Sequence, residues 1–191
     1  MKYKVMAHSS PRAMRQTGFT LVETLLVIGI LVLAMAAITG VALTTGASQA
    51  AQNEGLLIDT AGNKIRNIYS STADYNTLDT AVAEGFELFP QSMGQAPTIN
   101  TWGGTVTVVS PPANVATPSG VGARQFEINW PNVAEDSCSD LAAKQTSALG
   151  VSVDGTEVYS RGDADLDPIN PALVSGNCDE GVTVTFVYGK L

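Results

Sequence analysis

Histidine and charged side chains are scarce in this sequence of 191 residues. It has one histidine, His8, and 15% charged residues, whereas an ordinary soluble protein has about a quarter. Histidine is the usual general acid–base and a common metal ligand, and no cluster of lysines replaces it as an activated nucleophile. The sequence therefore predicts no catalytic residue, no metal site and no cofactor, and we expect that the protein is not an enzyme.

Basic residues are also few, and their distribution is uneven. The chain has 10 basic and 18 acidic residues, a formal net charge of −8, so it lacks the basic face that nucleic-acid binding requires. Residues 1–18 contain four of the basic residues and no acid. A basic N-terminal stretch before an apolar run is typical of a membrane-targeted chain whose positive end stays in the cytoplasm.

The longest apolar run, residues 25–43, contains neither a charge nor a proline. As a helix it would be roughly 28 Å long, close to the thickness of the hydrocarbon core of a bilayer. We therefore predict a transmembrane segment over residues 25–43. Two simpler interpretations are a secretory signal cleaved near Ala36, for which the run is long, and an ordinary membrane anchor of a periplasmic domain.

The sequence GFTLVE at residues 18–23 stands between the basic stretch and the apolar run. This combination of Gly18, a hydrophobic Phe19, Glu23 and a membrane helix resembles the processing site of type IV prepilins. The resemblance implies that a prepilin peptidase removes the leader, residues 1–18, by cleaving between Gly18 and Phe19. It further implies N-methylation of Phe19 and pairing of Glu23 with the positive Phe19 terminus of a neighbouring subunit. The long leader is similar to that of type IVb pilins, whereas a phenylalanine at the first mature position is more typical of type IVa.

Helical periodicity continues beyond the apolar run. An apolar stripe recurs at helical spacing along one face, with polar residues (Asp59, Asn63, Lys64, Asn67) on the other; the stripe consists of Ala51, Ile58, Ala61, Ile65 and Ile68. No proline interrupts the chain between Phe19 and Phe89. We therefore predict one helix over residues 19–69, transmembrane over 25–43 and amphipathic over 44–69.

The remaining residues, 70–191, predict a globular α+β head with an antiparallel sheet. Strands are expected at residues 105–109, at 124–130 before Pro131, at 151–153 and 157–159 around an Asp-Gly turn, and at 182–188. Short helices are expected at 78–85 and 139–149. A helical spine with such a head matches the lollipop plan of pilins. The sequence TWGG at 101–104 and the cysteine-flanked C-terminal region resemble the PilS group of type IVb pilins.

The two cysteines, Cys138 and Cys178, both lie in the predicted head. An even pair in an exported chain favours a disulfide, although two free thiols or a metal pair without further ligands are alternatives. The pilin resemblance implies that the bridge fixes the C-terminal region, residues 138–178, to the head.

Aspartates at positions 163, 165 and 167 resemble the beginning of a calcium-binding loop. However, Pro168 occupies the position of the bending glycine, and Val174 that of the bidentate glutamate. An exposed acidic turn is therefore the stronger interpretation, and no metal is predicted.

Together these features predict the major structural subunit of a type IV pilus, which polymerises through its apolar helix into a surface filament. By resemblance, the subunit waits in the inner membrane and becomes extracellular on assembly. Its expected partners are further copies of itself, prepilin peptidase, an assembly ATPase, an inner-membrane platform, an outer-membrane secretin and minor pilins. The filament would serve adhesion, aggregation or DNA transfer in conjugation. The alternatives are a pseudopilin of a type II secretion system and a membrane-anchored periplasmic binding domain.

Overall fold

The structure, a computed structural model, describes residues 20–112, 124–144 and 147–190, with the side chains of residues 36–45 outside the description. The chain divides into two compact units, Met1–Val41 and Ala42–Leu191. Its described elements are helices and one antiparallel sheet, so the predicted α+β class is confirmed.

The long helix α1 is present as predicted and spans Leu21–Ile68, followed by a 3₁₀ turn at Tyr69–Ser71. A second 3₁₀ turn lies at Gln91–Met93. The other helices are α2 (Thr80–Gly85), α3 (Glu135–Ala143) and α4 (Pro171–Asn177). The strands are β1 (Thr107–Val109), β2 (Gln125–Val133), β3 (Gly150–Val153), β4 (Thr156–Ser160) and β5 (Val182–Gly189).

The sheet has the strand order β1-β2-β5-β3-β4, and every neighbouring pair is antiparallel. Strand β5 therefore lies in the centre, with Phe186 opposite Ile128 of β2 on one side and opposite Val151 of β3 on the other. Because side chains alternate along a strand, one face of the sheet is apolar and forms the core of the head. Its buried members include Phe126, Ile128, Trp130, Val151, Val153, Val184, Phe186 and Tyr188.

The C-terminal part of α1 packs against this core. The predicted stripe residues Ala51, Ile58, Ala61 and Ile65 are fully buried, whereas Ile68 is 43% exposed and was wrongly placed on the stripe. The packing is close, because a Cβ atom at Gly62 would lie 3.1 Å from the ring of Tyr188. A Cβ atom at Gly62 would therefore require the Tyr188 ring to shift by a few tenths of an ångström.

Two predicted strand limits are wrong by more than one residue. Strand β1 begins at Thr107 rather than at residue 105, and β2 continues through Pro131 to Val133. The register of β2 against β5 shifts between Trp130 and Val133, so Pro131 lies in an irregularity of the ladder. A proline is tolerated there because a bulge does not use its missing N–H group.

The predicted helix at 139–149 is displaced, and α4 was not predicted. Helix α3 begins at Glu135, where two acids in the first turn stabilise the positive end of the helix dipole. Helix α4 begins with the Asn170 side chain accepting from backbone N–H groups, followed by Pro171 in the first turn. Both helices thus begin at residue types that favour the N-terminus of a helix.

No helix within the described part of the chain is both long and apolar enough to cross a membrane. The predicted transmembrane segment, residues 25–43, includes side chains that lie outside the description.

Candidate assembly surface and its connection to the head

The beginning of α1 carries an apolar surface that only Glu23 and Thr24 interrupt. All of its large hydrophobic side chains from Leu21 to Met35 are exposed, from 46% at Val27 to 76% at Leu21. Soluble monomers rarely leave so much contiguous apolar surface in water, and such surfaces mark sites of association with protein or lipid. We call residues 21–35 the assembly segment.

Glu23 lies in the first turn of α1 and is exposed. Its backbone N–H donates to the Thr20 carbonyl at 3.0 Å, and the Thr24 hydroxyl donates to the Leu21 carbonyl at 2.9 Å. Glu23 is thus the one acidic residue within the assembly segment. The predicted cleavage and methylation positions, Gly18 and Phe19, lie outside the described residues.

A buried glutamate, Glu54, joins α1 to the head. It is 6% exposed, and its carboxylate accepts from the Trp130 indole Nε1 at 3.0 Å and from the backbone N–H of Thr101 at 3.3 Å. A buried carboxylate is costly unless it is hydrogen-bonded, and here both oxygens have a donor. Glu54 therefore fixes the helix to strand β2 and to the loop before β1.

The loop that contacts Glu54 contains the TWGG sequence. The Asn100 side chain accepts from the backbone N–H groups of Trp102 and Gly104 at 3.0 and 2.8 Å, and donates to the Pro131 carbonyl at 2.6 Å. A Cβ atom at Gly104 would lie 2.3 Å from the Pro131 carbonyl oxygen. This position therefore requires glycine, because the backbone of the loop approaches the irregularity in β2 closely.

Burial raises the pKa of Glu54 above its ordinary value of 4.5, while the Trp130 and Thr101 donors oppose the shift. The folded chain therefore holds this proton more tightly than the unfolded chain. The resulting stabilisation is complete below pH 4.5 and is lost as the pH rises through the folded-state pKa.

We expect Glu54→Gln to remove this pH dependence. The difference in unfolding free energy between wild type and variant should change with pH above 4.5, with a slope of at most about 1.4 kcal/mol per pH unit. Urea unfolding of the detergent-solubilised chain, followed by tryptophan fluorescence, measures it. Trp130→Phe removes a donor to the carboxylate and should extend the sloping range to higher pH. Parallel curves for wild type and Glu54→Gln would contradict this account.

Asp59 forms a second connection between α1 and the head. It accepts from the Tyr188 hydroxyl at 3.1 Å and from the Ser147 hydroxyl. Burial, together with the Asp59 carboxylate, raises the pKa of Tyr188 well above 10. Asp59 was predicted on the polar face of α1, but it is half-buried because its carboxylate contacts Tyr188 of β5.

Cys138 and Cys178 form the predicted disulfide, with their Cα atoms 5.7 Å apart. Cys138 lies within α3, and Cys178 follows the last residue of α4. The bridge joins two cysteines that are 40 residues apart in the sequence. Cys178 lies shortly before β5, the central strand of the sheet. It therefore holds the segment containing β3, β4 and α4 against the rest of the head.

The acidic side chains at 163–167 accept hydrogen bonds from backbone N–H groups of their own turn. Asp163 accepts from the N–H of Asp165 at 2.9 Å, and Asp167 from the N–H of Gly162 at 3.0 Å. In the described ranges, no three acidic, histidine or cysteine side chains form a group that could hold a metal. The acidic side chains that resemble the beginning of a calcium-binding loop are thus partly occupied by backbone donors.

Comparison with known families identifies this fold. A family described as PilS N terminal matches residues 48–189, which include the head and the part of α1 packed on it. The chain belongs to this family. The resemblance to type IVb pilins of the PilS group is thereby confirmed.

The solved structures that are similar to this chain include two pilins. The crystal structure of the type IVb pilin from Salmonella typhi matches with a TM-score of 0.54 and 16% sequence identity, over 73% of this PilS-family chain and 99% of that one. That of TcpA, a type IV pilin from Vibrio cholerae El Tor biotype, gives a TM-score of 0.48 and 16% identity, over 75% and 99%. At this identity the first match establishes the shared fold. No curated protein sequence matches significantly.

The role of Glu54 was not predicted, although its position in the sequence carries a signal. Glu54 stands three residues after Ala51 and four before Ile58, so it lies on the apolar stripe itself. An acid at a core position of an amphipathic helix indicates a buried hydrogen-bond partner. Its partner Trp130 is 76 residues away in sequence and could not be predicted from the local pattern.

Proposed function

We propose that this chain is the major structural subunit of a type IV pilus of the IVb class. The observation that carries the proposal is the exposed apolar surface of the assembly segment, from Leu21 to Met35. An isolated subunit in water would leave this surface solvated, whereas a bundle of identical helices buries it. Membership of the PilS family supports the same conclusion. The subunit acts by association and not as an enzyme.

Assembly joins different surfaces of identical subunits. Such a heterologous contact does not close on itself and generates a helical filament rather than a ring. The assembly segments form the core of this filament, and the heads form its outside. The filament is extracellular, and it serves adhesion, aggregation or DNA transfer in conjugation without the subunit itself binding nucleic acid.

Glu23 guides the helices into place. Cleavage between Gly18 and Phe19 by a prepilin peptidase leaves a positive amino group on Phe19, which is then methylated. In the apolar bundle this amine needs an opposite charge, and Glu23 of a neighbouring subunit supplies it. The pairing sets the axial position of one helix against the next.

Before assembly the subunit resides in the inner membrane through residues 25–43, with its N-terminus in the cytoplasm. Extraction from the bilayer requires work, which an assembly ATPase and an inner-membrane platform provide. Minor pilins and an outer-membrane secretin complete the set of partners.

The mature protein should begin at Phe19. Filaments sheared from the cell surface are analysed by intact mass and N-terminal sequencing, with cells lacking the prepilin peptidase as control. We expect the chain in the sheared fraction to lack residues 1–18, and the control cells to retain the full-length chain and no filaments. A surface chain that begins at Lys2, or after Ala36, would contradict the proposal.

A further inference from the structure

The two ends of the head carry charges of opposite sign. Two contacts with α1 define these ends. The Ser137 hydroxyl of α3 donates to the Ala47 carbonyl at 3.3 Å, and the Lys190 ammonium, after β5, donates to the Tyr69 carbonyl at 2.6 Å. At 1.5 Å per helical residue, the two carbonyls lie roughly 33 Å apart. We call the Ala47 side of the head the proximal end and the Tyr69 side the distal end.

The proximal end is acidic. Carboxylates from the first turn of α3 and from the segment before β5 line one groove there, namely those of Glu135, Asp136 and Glu180. Asp179 is exposed next to Glu180. The lining of this groove contains no basic residue in the described part of the chain. Four exposed carboxylates are therefore grouped at this end without a cation among them.

The distal end is basic. Arg124 and Lys190 are neighbours there, because the N–H of Lys190 donates to the Arg124 carbonyl at 3.1 Å. Arg66, in the last turn of α1, lies over the Tyr188 ring, 5.5 Å from its centroid. Lys64 is exposed two residues before Arg66. Four of the six basic residues beyond position 18 are thus at this end.

The other charges do not cancel this difference. Of the remaining two basic residues, Lys144 lies beside Asp59, between the ends, and Arg161 follows β4. The acids closest in sequence to the distal end, Asp74 and Asp79, each accept from a backbone N–H group of their own turn. The two ends therefore keep complementary charges.

We propose that the acidic proximal end of one head docks against the basic distal end of the head of a second copy. Subunits that pack their helices in parallel present the same end of the head in the same direction, so unlike ends face each other along the filament. Such a contact joins different surfaces of identical molecules and repeats without closing. The inference rests on the proposed pilus function and specifies which head surfaces meet.

Carbodiimide coupling tests the contact in wild-type filaments, because this reagent joins a carboxylate directly to an adjacent lysine amine. Sheared filaments are coupled, digested and analysed by mass spectrometry. We expect Lys64 to be joined to an acid of the proximal end, and the link must be intermolecular because the two ends are far apart within one subunit. Arg124→Lys keeps the charge and should add a second linked amine, whereas Lys64→Gln should lose the first.

Charge reversal provides a second readout. Asp179→Lys/Glu180→Lys and Lys64→Glu/Arg124→Glu each change two exposed side chains. Each pair should lower filament yield by about tenfold or more at matched subunit levels, because attraction between the ends is lost. The matched control Asp163→Lys/Asp165→Lys makes the same change of net charge in the turn after β4 and should assemble normally.

Coupled wild-type filaments in which Lys64 is joined only to acids outside the proximal end, or only to a different protein, would overturn the contact and leave the pilus function intact. Wild-type yields from both reversed pairs would do the same. Absence of filaments from wild-type cells would overturn the pilus function and this contact together.

Discussion

Glu23→Ala should abolish surface filaments without preventing export or processing. Before the proposed assembly, an exposed acid in the first turn of a helix contributes only about 0.3–1 kcal/mol, so the variant subunit should accumulate normally. In the proposed bundle, its loss would leave the Phe19 amine of a neighbour without a counter-charge among apolar helices. Removing one partner of a buried ion pair costs about 3–5 kcal/mol, and the penalty recurs in every subunit.

Sheared filament yield at matched subunit levels measures the effect of Glu23→Ala. Glu23→Gln keeps the shape of the side chain and should fail in the same way, whereas Glu23→Asp should retain part of the yield. Asp163→Ala, which removes an exposed acid from the head, is the control and should assemble normally. Wild-type yield from Glu23→Ala would show that the acid has no pairing role.

Removing the disulfide should destabilise the head. Cross-linking over 40 residues contributes about 4 kcal/mol on the chain-entropy account, and loss of a native bridge from an exported domain costs about 2–5 kcal/mol. We expect Cys138→Ser/Cys178→Ser to unfold at lower urea concentration and to give fewer filaments. The bridge encloses the segment between α3 and β5. Its removal should therefore weaken the pairing of strand β3 with β5.

Cys138→Ala/Cys178→Ala is the matched control for the disulfide, because it removes the bridge without adding hydroxyl groups to a buried site. Because the alanine pair also lacks the bridge, it should likewise lose about 2–5 kcal/mol of stability. The wild-type chain should migrate faster on a non-reducing gel than after reduction. Two thiols that react with an alkylating agent in the native exported protein would contradict the bridge.

The parts of the fold that repeat a local pattern could be predicted from the sequence. Helix α1 follows from an apolar periodicity without proline, and the β3–β4 hairpin from the Asp154-Gly155 turn between two β-branched runs. Cys138 and Cys178 were predicted as a pair because the chain contains no other cysteine. Each of these features depends on neighbouring residues or on composition alone.

The parts that depend on distant contacts could not be predicted. Strand β2 continues through Pro131 because its register against β5 shifts at that point. The Asn100 side chain, from a separate loop, donates to the Pro131 carbonyl. Glu54 is buried because Trp130 offers a donor from the other side of the core. Tertiary contacts overrode the local signal in both cases.

Hydropathy predicted a transmembrane segment at residues 25–43, which overlaps the assembly segment, and the proposed role of that segment is to pack against the helices of neighbouring subunits. Immunogold electron microscopy of intact cells, with an antibody against the head, tests this central claim most directly. We expect long surface filaments labelled along their whole length in wild-type cells, and none in cells that lack the gene or carry Glu23→Ala. Label confined to the cell envelope of wild-type cells, or filaments that the antibody does not decorate, would contradict the account.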